Sequence, residues 1–359
     1  MGLIRFLLAV SVIVAHSTPI FGIKLVGGQT AVQAFFILSG FYMALVLNEK
    51  YIGQNNSYKL FITNRLLRIY PVYWIILILT ILLFLIFLIF NKDGNNSILY
   101  NYINYNHKLS LSSFLFLLFS NIFILFQDFI MFLGVNIEGN LIFTSDYNKT
   151  NPMLWTFLFV PQAWSVSLEI IFYFIAPFLL RRNLIFISVL TLLTFIVRYI
   201  FYQSGYNHDP WTYRFFPFEL GYFLLGAIAY HLYIRINDRK IDQKILVAFF
   251  SVIILWTLIS PKLDNGSNNP YLLMFSISLP FIFILTKKSQ IDSYLGNLSY
   301  PMYVSHVFIF YVVRIINIPY VKNSGIKLSF LTIVFSILLN KLISEKIEMI
   351  RQRRLKLKV

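Results

Sequence analysis

Two histidines, three arginines and a glutamate are the side chains best suited to chemistry here, and their spacing is informative. Arg5 and His16 bracket the uncharged stretch from Phe6 to Ala15. On a helix rising ~1.5 Å per residue they stand ~16 Å apart, about half of a ~30 Å hydrocarbon core. That places His16 near a bilayer midplane, where an ionisable group is costly and marks function by default. A neutral imidazole can accept a proton from a hydroxyl; the plainer alternative is a packed histidine bonded to a backbone carbonyl. Arg65 and Arg68 share a helical face, and planar guanidinium forks suit phosphate. Simple anchoring to the inner membrane face is the competing reading, and it suits Lys50 and Lys59 better. Ser165, Glu169 and Tyr173 recur every four residues, a polar stripe that should face a bundle interior. Glu169 could orient His16, or merely neutralise Arg198 or Arg214. Trp164 fits an aromatic belt. Ser299, Tyr303 and His306 share another face, in either a structural or a chemical role.

The elements that position these residues follow from composition. The chain is 58% hydrophobic and 12% charged with mean hydropathy +0.73, beyond what a soluble domain of 359 residues could solvate. It reads as an all-α polytopic membrane protein. With no cysteine, disulfides, thiolate metal sites and a cysteine nucleophile are excluded, and no metal is expected. Arg5 before an apolar run resembles a signal peptide, yet no small-x-small cleavage site follows and His16 interrupts the run, so a retained first span is expected. Apolar runs fall near 3–21, 31–48, 71–90, 112–132, 164–180, 184–202, 214–234, 244–260, 270–286, 298–318 and 328–345. Basic clusters at Lys50–Arg68, Arg181–Arg182, Arg235–Lys244, Lys287–Lys288 and Lys341–Lys358 account for most of the net charge of +16. Placed together on the cytoplasmic side they satisfy the positive-inside rule and argue against a nucleic-acid partner. Arg68 and Arg181 can share that side only if an even number of spans separates them. The run at 112–132, broken by Ser120 and Asn121 with Asp128 near its end, is therefore expected to be a re-entrant or interfacial segment. Ten transmembrane helices remain, with both termini cytoplasmic. Residues 1–345 form the membrane domain, 346–359 a short basic tail, and Gly134–Pro161 a long outer loop. Pro71 suits the start of a helix after an inner loop holding the two arginines.

The order of motifs carries a resemblance. Arg5-x10-His16, Ala31-Val32-Gln33-Ala34-Phe35-Phe36-Ile37-Leu38-Ser39-Gly40-Phe41, Arg65-x-x-Arg68-x-x-Pro71-x-Tyr73, Trp164-Ser165 with Glu169, and Ser299-Tyr300-Pro301 with His306 together resemble the acyltransferase family 3 membrane proteins. The resemblance implies ten spans and transfer of an acyl group, usually acetyl, from cytoplasmic acyl-coenzyme A to a hydroxyl of an extracytoplasmic or lipid-linked glycan such as lipopolysaccharide O-antigen. It makes His16 the essential histidine, Arg5 its partner, and Arg65 and Arg68 the inner arginine pair. Val166 stands where the family usually has leucine. Glu345-Lys346-Ile347 resembles a family ending that more often has proline third, and no catalytic role is assigned to Glu345. Some members carry an added esterase-like domain; here the chain is expected to stop after the basic tail, so that a second step would need another protein.

The expected chemistry has the coenzyme A phosphates on Arg5, Arg65 and Arg68 and the thioester carbonyl near His16. The acceptor sugar enters past Trp164 and the 134–163 loop. His16 and Glu169 are the catalytic candidates; Trp164, Ser165, Tyr173, Ser305 and His306 are the substrate-binding ones. Ser165 or Tyr173 could stabilise the oxyanion, and acyl parked on His16 or Ser305 is the two-step rival. Acetyl-CoA is a co-substrate rather than a resident cofactor. Partners are the acyl-CoA, a glycan or lipid-linked glycan, and lipid. A transporter of a glycan or lipid-linked intermediate would also need a midplane cavity, and a membrane scaffold would use the polar stripes only for packing. Family and composition suggest a bacterial cytoplasmic membrane.

Overall fold

The computed structural model describes residues 1–51, 57–90, 98–263, 269–316, 321 and 324–356. The described residues form α1 (Gly2–Ala15), α2 (Gly28–Glu49), α3 (Ser57–Phe90), α4 (Ile98–Asn104), α5 (Leu111–Phe123), α6 (Trp164–Leu179), α7 (Leu184–Gln203), α8 (Phe216–Asn237), α9 (Gln243–Leu263), α10 (Asn269–Thr286), α11 (Gln290–Ile315), α12 (Gly325–Leu339) and α13 (Glu345–Lys356). An antiparallel hairpin, β1 (Leu133–Val135) with β2 (Leu141–Phe143), interrupts the helices between α5 and α6. Helix starts are written locally: Ser110, Asn183, Ser289 and Ser324 each accept a hydrogen bond from a first-turn N–H, satisfying a donor that the helix itself cannot.

Among the described residues six helical stretches are long and apolar enough to cross a membrane: Gly28–Glu49, Tyr58–Phe90, Pro161–Leu179, Leu184–Gln203, Gln290–Ile315 and Gly325–Leu355. Shorter apolar stretches occur at Gly2–Ala15, Leu111–Phe123, Gln243–Ile259 and Pro270–Thr286. The protein is thus an all-α integral membrane protein.

Two sequence expectations change. The run at 3–21 is not one helix, because α1 stops at Ala15 with His16 as its C-cap. Pro19 cannot continue a helix, and the chain turns back through an Ile20–Ile23 bridge with Gly22 and Gly27 at φ +80° and +78°. Residues 57–90 form a single 34-residue helix with Pro71 in its interior, so Arg65 and Arg68 lie on a helix wall and not in a loop. Running into the expected tail, residues 345–356 form a helix. A π-turn at Asn340–Ser344 joins α12 directly to α13, which packs on α3.

The 112–132 run is not one continuous helix. Its helix α5 has 13 residues and ends at Ile124 in a left-handed conformation. The last carbonyls of a helix have no partner within it, and α3 supplies three of the partners that α5 needs. Tyr70 Oη donates to Phe123 O (2.5 Å), Trp74 Nε1 to Ile122 O (2.8 Å), and Tyr73 Oη to Asn121 O. Asp128, buried beyond the break, accepts from Ser167 Oγ at 2.7 Å.

Two contacts frame the interior. Helices α2 and α8 touch backbone to backbone. A Cβ on Gly40 would sit 1.8 Å from Phe223 O, and one on Gly226 would sit 1.9 Å from Ile37 O, the close approach that small residues permit between membrane helices. Helices α1 and α11 run side by side in the same direction. Met1 and Gly2 lie against Asp292 at one end, where the Gly2 N–H donates to Asp292 Oδ2 at 2.6 Å, and His16 lies against His306 at the other.

Candidate active site

Five helices converge on a cavity of about 100 Å³ at the basic end of the bundle. Arg5 enters from α1, Ser39 and Tyr42 from α2, Arg65 and Arg68 from α3, and Ser165, Glu169 and Tyr173 from α6; Tyr300 and Tyr303 of α11 close it. Glu169 accepts hydrogen bonds from Ser39 Oγ (2.8 Å) and Tyr173 Oη (2.5 Å). Among the described residues no cation comes within 4.0 Å of its carboxylate in an ion pair, and Arg5, Arg65 and Arg68 have no carboxylate partner either. Arg5 lies over the Tyr42 ring at 5.9 Å and Arg65 over Phe61 at 5.7 Å. Arg65 is 5% exposed, and its Nε has no hydrogen-bond partner. Three guanidinium groups against one carboxylate give the cavity an excess of positive charge that suits an anion.

A second and larger cavity of about 720 Å³ adjoins the first, sharing Arg68 and Tyr300 with it and lined further by α3, α11 and α13. Its size falls in the range of small-molecule sites. Tyr300 donates to Ile69 O at 2.8 Å and so ties α11 to α3 at the junction.

The histidines occupy the other end of the α1–α11 pair. His16 is exposed and stacks on His306 with centroids 5.5 Å apart and planes at 29°. His306 is fully buried. Its Nδ1 lies 2.6 Å from Tyr303 O, and a carbonyl can only accept, so Nδ1 carries the proton and Nε2 is left with a lone pair and no partner. Near this end Arg214 lies 4.4 Å over the Trp164 ring and 5.1 Å over Tyr213. It also donates to both oxygens of Asp209 at 2.8 to 3.1 Å. Burial opposes the charge on Arg214, but the Asp209 carboxylate outweighs it and holds the guanidinium pKa above its ordinary value.

Between the two ends stands Tyr303. Its Oη shares a 2.6 Å hydrogen bond with Ser165 Oγ and donates to Gln162 O at 3.0 Å. Its ring lies 6.2 Å from Phe35 on one side and 5.9 Å from His306 on the other. The arginine-lined cavity therefore ends at Tyr303 and Phe35 and does not reach His16.

Set against the sequence reading, Arg5, Arg65, Arg68, Ser165, Glu169 and Tyr173 are brought together, and His16 joins His306. Four placements differ. His16 caps the end of its helix rather than sitting within one. Glu169 does not touch His16, because its oxygens are turned toward α2 and its own helix. Nor does it neutralise Arg198 or Arg214: Arg198 pairs with Glu219 at 2.8 Å and Arg214 with Asp209. Ser305 is fully buried and faces Ser336 Oγ of α12 at 3.5 Å, away from both the cavity and His16. Trp164 is buried beneath Arg214. Tyr42, Tyr300 and α13 were missed as site elements. Tyr42 lies one helical turn past Ser39, and that spacing was the available signal.

Residues 1–343 match the acyltransferase domain family. An uncharacterized protein of Aquifex aeolicus (strain VF5) is 27% identical over 218 residues, covering 56% of this chain and 93% of its own length. No solved structure matches. The family match covers nearly the whole described chain, and the motifs it spans converge in the structure on the cavity and the histidine pair. The chain belongs to acyltransferase family 3 and is a membrane-embedded acyltransferase, of a class whose general activity is acyl transfer to cell-surface glycans.

Proposed function

We propose that this protein transfers an acetyl group from cytoplasmic acetyl-coenzyme A to a sugar hydroxyl of a cell-envelope glycan, such as O-antigen or a similar polysaccharide, with His16 as the general base. The observation that carries this reading is the polarity of the site: unpaired arginines from two helices at one end, an accessible imidazole at the other, and a tyrosine between them. The phosphates of the donor bind Arg5, Arg65 and Arg68, and the pantetheine arm runs inward past Tyr300. Glu169 acts as a positioning residue, holding Ser39 and Tyr173 where the arm must pass. With Tyr303 turned aside, the thioester carbonyl meets a sugar hydroxyl that has entered from the outer side beside Trp164. His16 takes the hydroxyl proton as the oxygen attacks the carbonyl carbon. The tetrahedral intermediate expels the coenzyme A thiolate, which recovers the proton from the imidazolium. Holding both reactants in a confined site supplies much of the rate. Direct transfer is favoured over an acyl-serine route, since Ser305 Oγ is packed against α12.

This reading includes ten passes with both ends cytoplasmic, in a bacterial inner membrane. The decisive experiment is coenzyme A release by purified protein with and without a glycan acceptor, paired with mass analysis of the glycan. Acceptor-dependent release and one added acetyl, both lost in His16→Ala, are expected. A glycan unchanged by loss of the gene, or coenzyme A release indifferent to acceptor, overturns it and favours transport.

A further inference from the structure

Helix α13 begins at Glu345, beyond the family match that ends at residue 343, and its sequence gives only a basic tail. In the structure it is a wall of the larger cavity. Glu348, Arg351 and Gln352 face that space together with Arg68 and Tyr300. The helix is fastened one turn below the arginine pair: Arg354 donates through Nη1 to Asn64 Oδ1 at 3.0 Å and through Nη2 to Thr63 Oγ1 at 2.9 Å, while Leu355 packs on the main core.

This fastening brings Arg351 to 7% exposure and close enough to Arg65 and Arg68 for the three charges to repel one another. Arg351 is paired with Glu348, which also accepts from Gln352 Nε2 at 2.5 Å. The Nε atoms of Arg351 and of Arg65 both lack a partner. Arg68 and Arg351 face about 720 Å³ of space and Arg65 lines the adjoining smaller cavity; such a cluster of like charges is stabilised by a polyanion with several phosphate oxygens.

We propose that α13 completes the donor site: Arg351 joins Arg65 and Arg68 in binding the phosphate groups of the coenzyme A nucleotide, and Glu348 holds the Arg351 guanidinium until the nucleotide takes its place. The inference rests on acyl-coenzyme A being the donor. Arg354 acts through α13 and is a positioning residue.

The test is coenzyme A binding to the purified full chain in an uncharged detergent, measured by calorimetry, with Arg68→Ala as reference. Arg351→Ala is expected to weaken binding about ten- to hundred-fold, and Arg351→Lys to recover only part because lysine lacks the fork. Glu348→Gln is expected to tighten binding a few-fold, which a folding defect cannot mimic. The proposal is overturned if Arg351→Ala binds coenzyme A as the wild type does while Arg68→Ala does not; the donor reading then stands. If the wild type itself fails to bind coenzyme A, the donor reading falls and this inference with it. Loss in Arg351→Ala of association with phosphatidylglycerol vesicles, at unchanged coenzyme A affinity, makes the cluster a lipid-headgroup site and also overturns it.

Discussion

Arg198 and Arg214 each end on a carboxylate, whereas Arg5, Arg65 and Arg68 do not, and all five lie at least partly buried in one bundle. The first pair sits among structural partners. Glu219, fully buried, accepts from Arg198 at 2.8 Å and from Gln33 Nε2 at 3.2 and 3.3 Å, so that α7, α8 and α2 are locked by one carboxylate. Arg198 also donates to Thr212 O at 2.6 Å, which ties the loop before α8. Every strong group there has found its partner within the protein. In the cavity near α6 the single carboxylate is occupied by two hydroxyl donors, and the guanidinium groups face space. Burying an ion without a partner costs several kcal/mol, a cost that the proposed binding of an anionic donor would offset. The same residue type is thus a brace at one end and, among the described residues, a charge without a carboxylate at the other, and burial alone does not tell them apart; the partner does.

The comparison can be broken most severely at the histidines. His16 is exposed and caps a helix through its backbone, so His16→Ala should leave thermal stability within about 0.5 kcal/mol. In the role of general base proposed above, its loss should lower turnover about 10²- to 10⁴-fold. Retained acceptor-dependent turnover would remove His16 from the chemistry. A large fall in melting temperature would return it to packing.

Next in size is the contrast between the two arginine sets. Glu219→Gln leaves Arg198 buried beside a neutral group and should cost about 3–5 kcal/mol of stability, since breaking one side of a buried pair strands the other charge. Arg68→Ala should do the opposite: relief of like-charge crowding leaves the melting temperature unchanged or raised, while affinity for coenzyme A falls. Were Arg68→Ala as damaging to stability as Glu219→Gln, the cavity arginines would be braces too.

Much of this was legible in the chain. Spacings of three and four identified the polar faces of α6 and α11 because those helices are regular, and charge parity across the membrane singled out the 112–132 run, whose helix does break. What escaped was long-range pairing. Glu169 and Glu219 look alike in sequence, each a lone acid in an apolar helix, and only the fold gives one to Arg198 and the other to Ser39 and Tyr173. Gly40 likewise reads as part of a motif, and its reason, the backbone of α8 at Phe223, is 183 positions away. Ser305 shows the hazard of local reasoning. It neighbours His306, yet one residue along a helix turns a side chain by ~100°, enough to send it to α12 and out of the site; Ser305→Ala should therefore leave turnover near the wild-type value.

The smallest expected effect bears on what separates the two regions. Tyr303 stands between the arginine cavity and the histidines, held by Ser165 Oγ at 2.6 Å and Gln162 O at 3.0 Å. Removing its hydroxyl in Tyr303→Phe keeps the ring and its contacts with Phe35 and His306 but deletes both anchors. Hydrogen bonds of this kind contribute about 0.5–1.5 kcal/mol each, so losing both should make the open position about five-fold to about a hundred-fold more populated. Because opening admits water as readily as a sugar, the consequence is a rise in acyl-coenzyme A hydrolysis without acceptor, by the same factor, alongside little change in coenzyme A affinity. A bulk change in binding would instead mean that Tyr303 shapes the donor site itself. Unchanged hydrolysis would mean that the donor reaches the imidazole by a route that does not pass this ring, and the two regions would then be one continuous chamber rather than two compartments divided by a phenol.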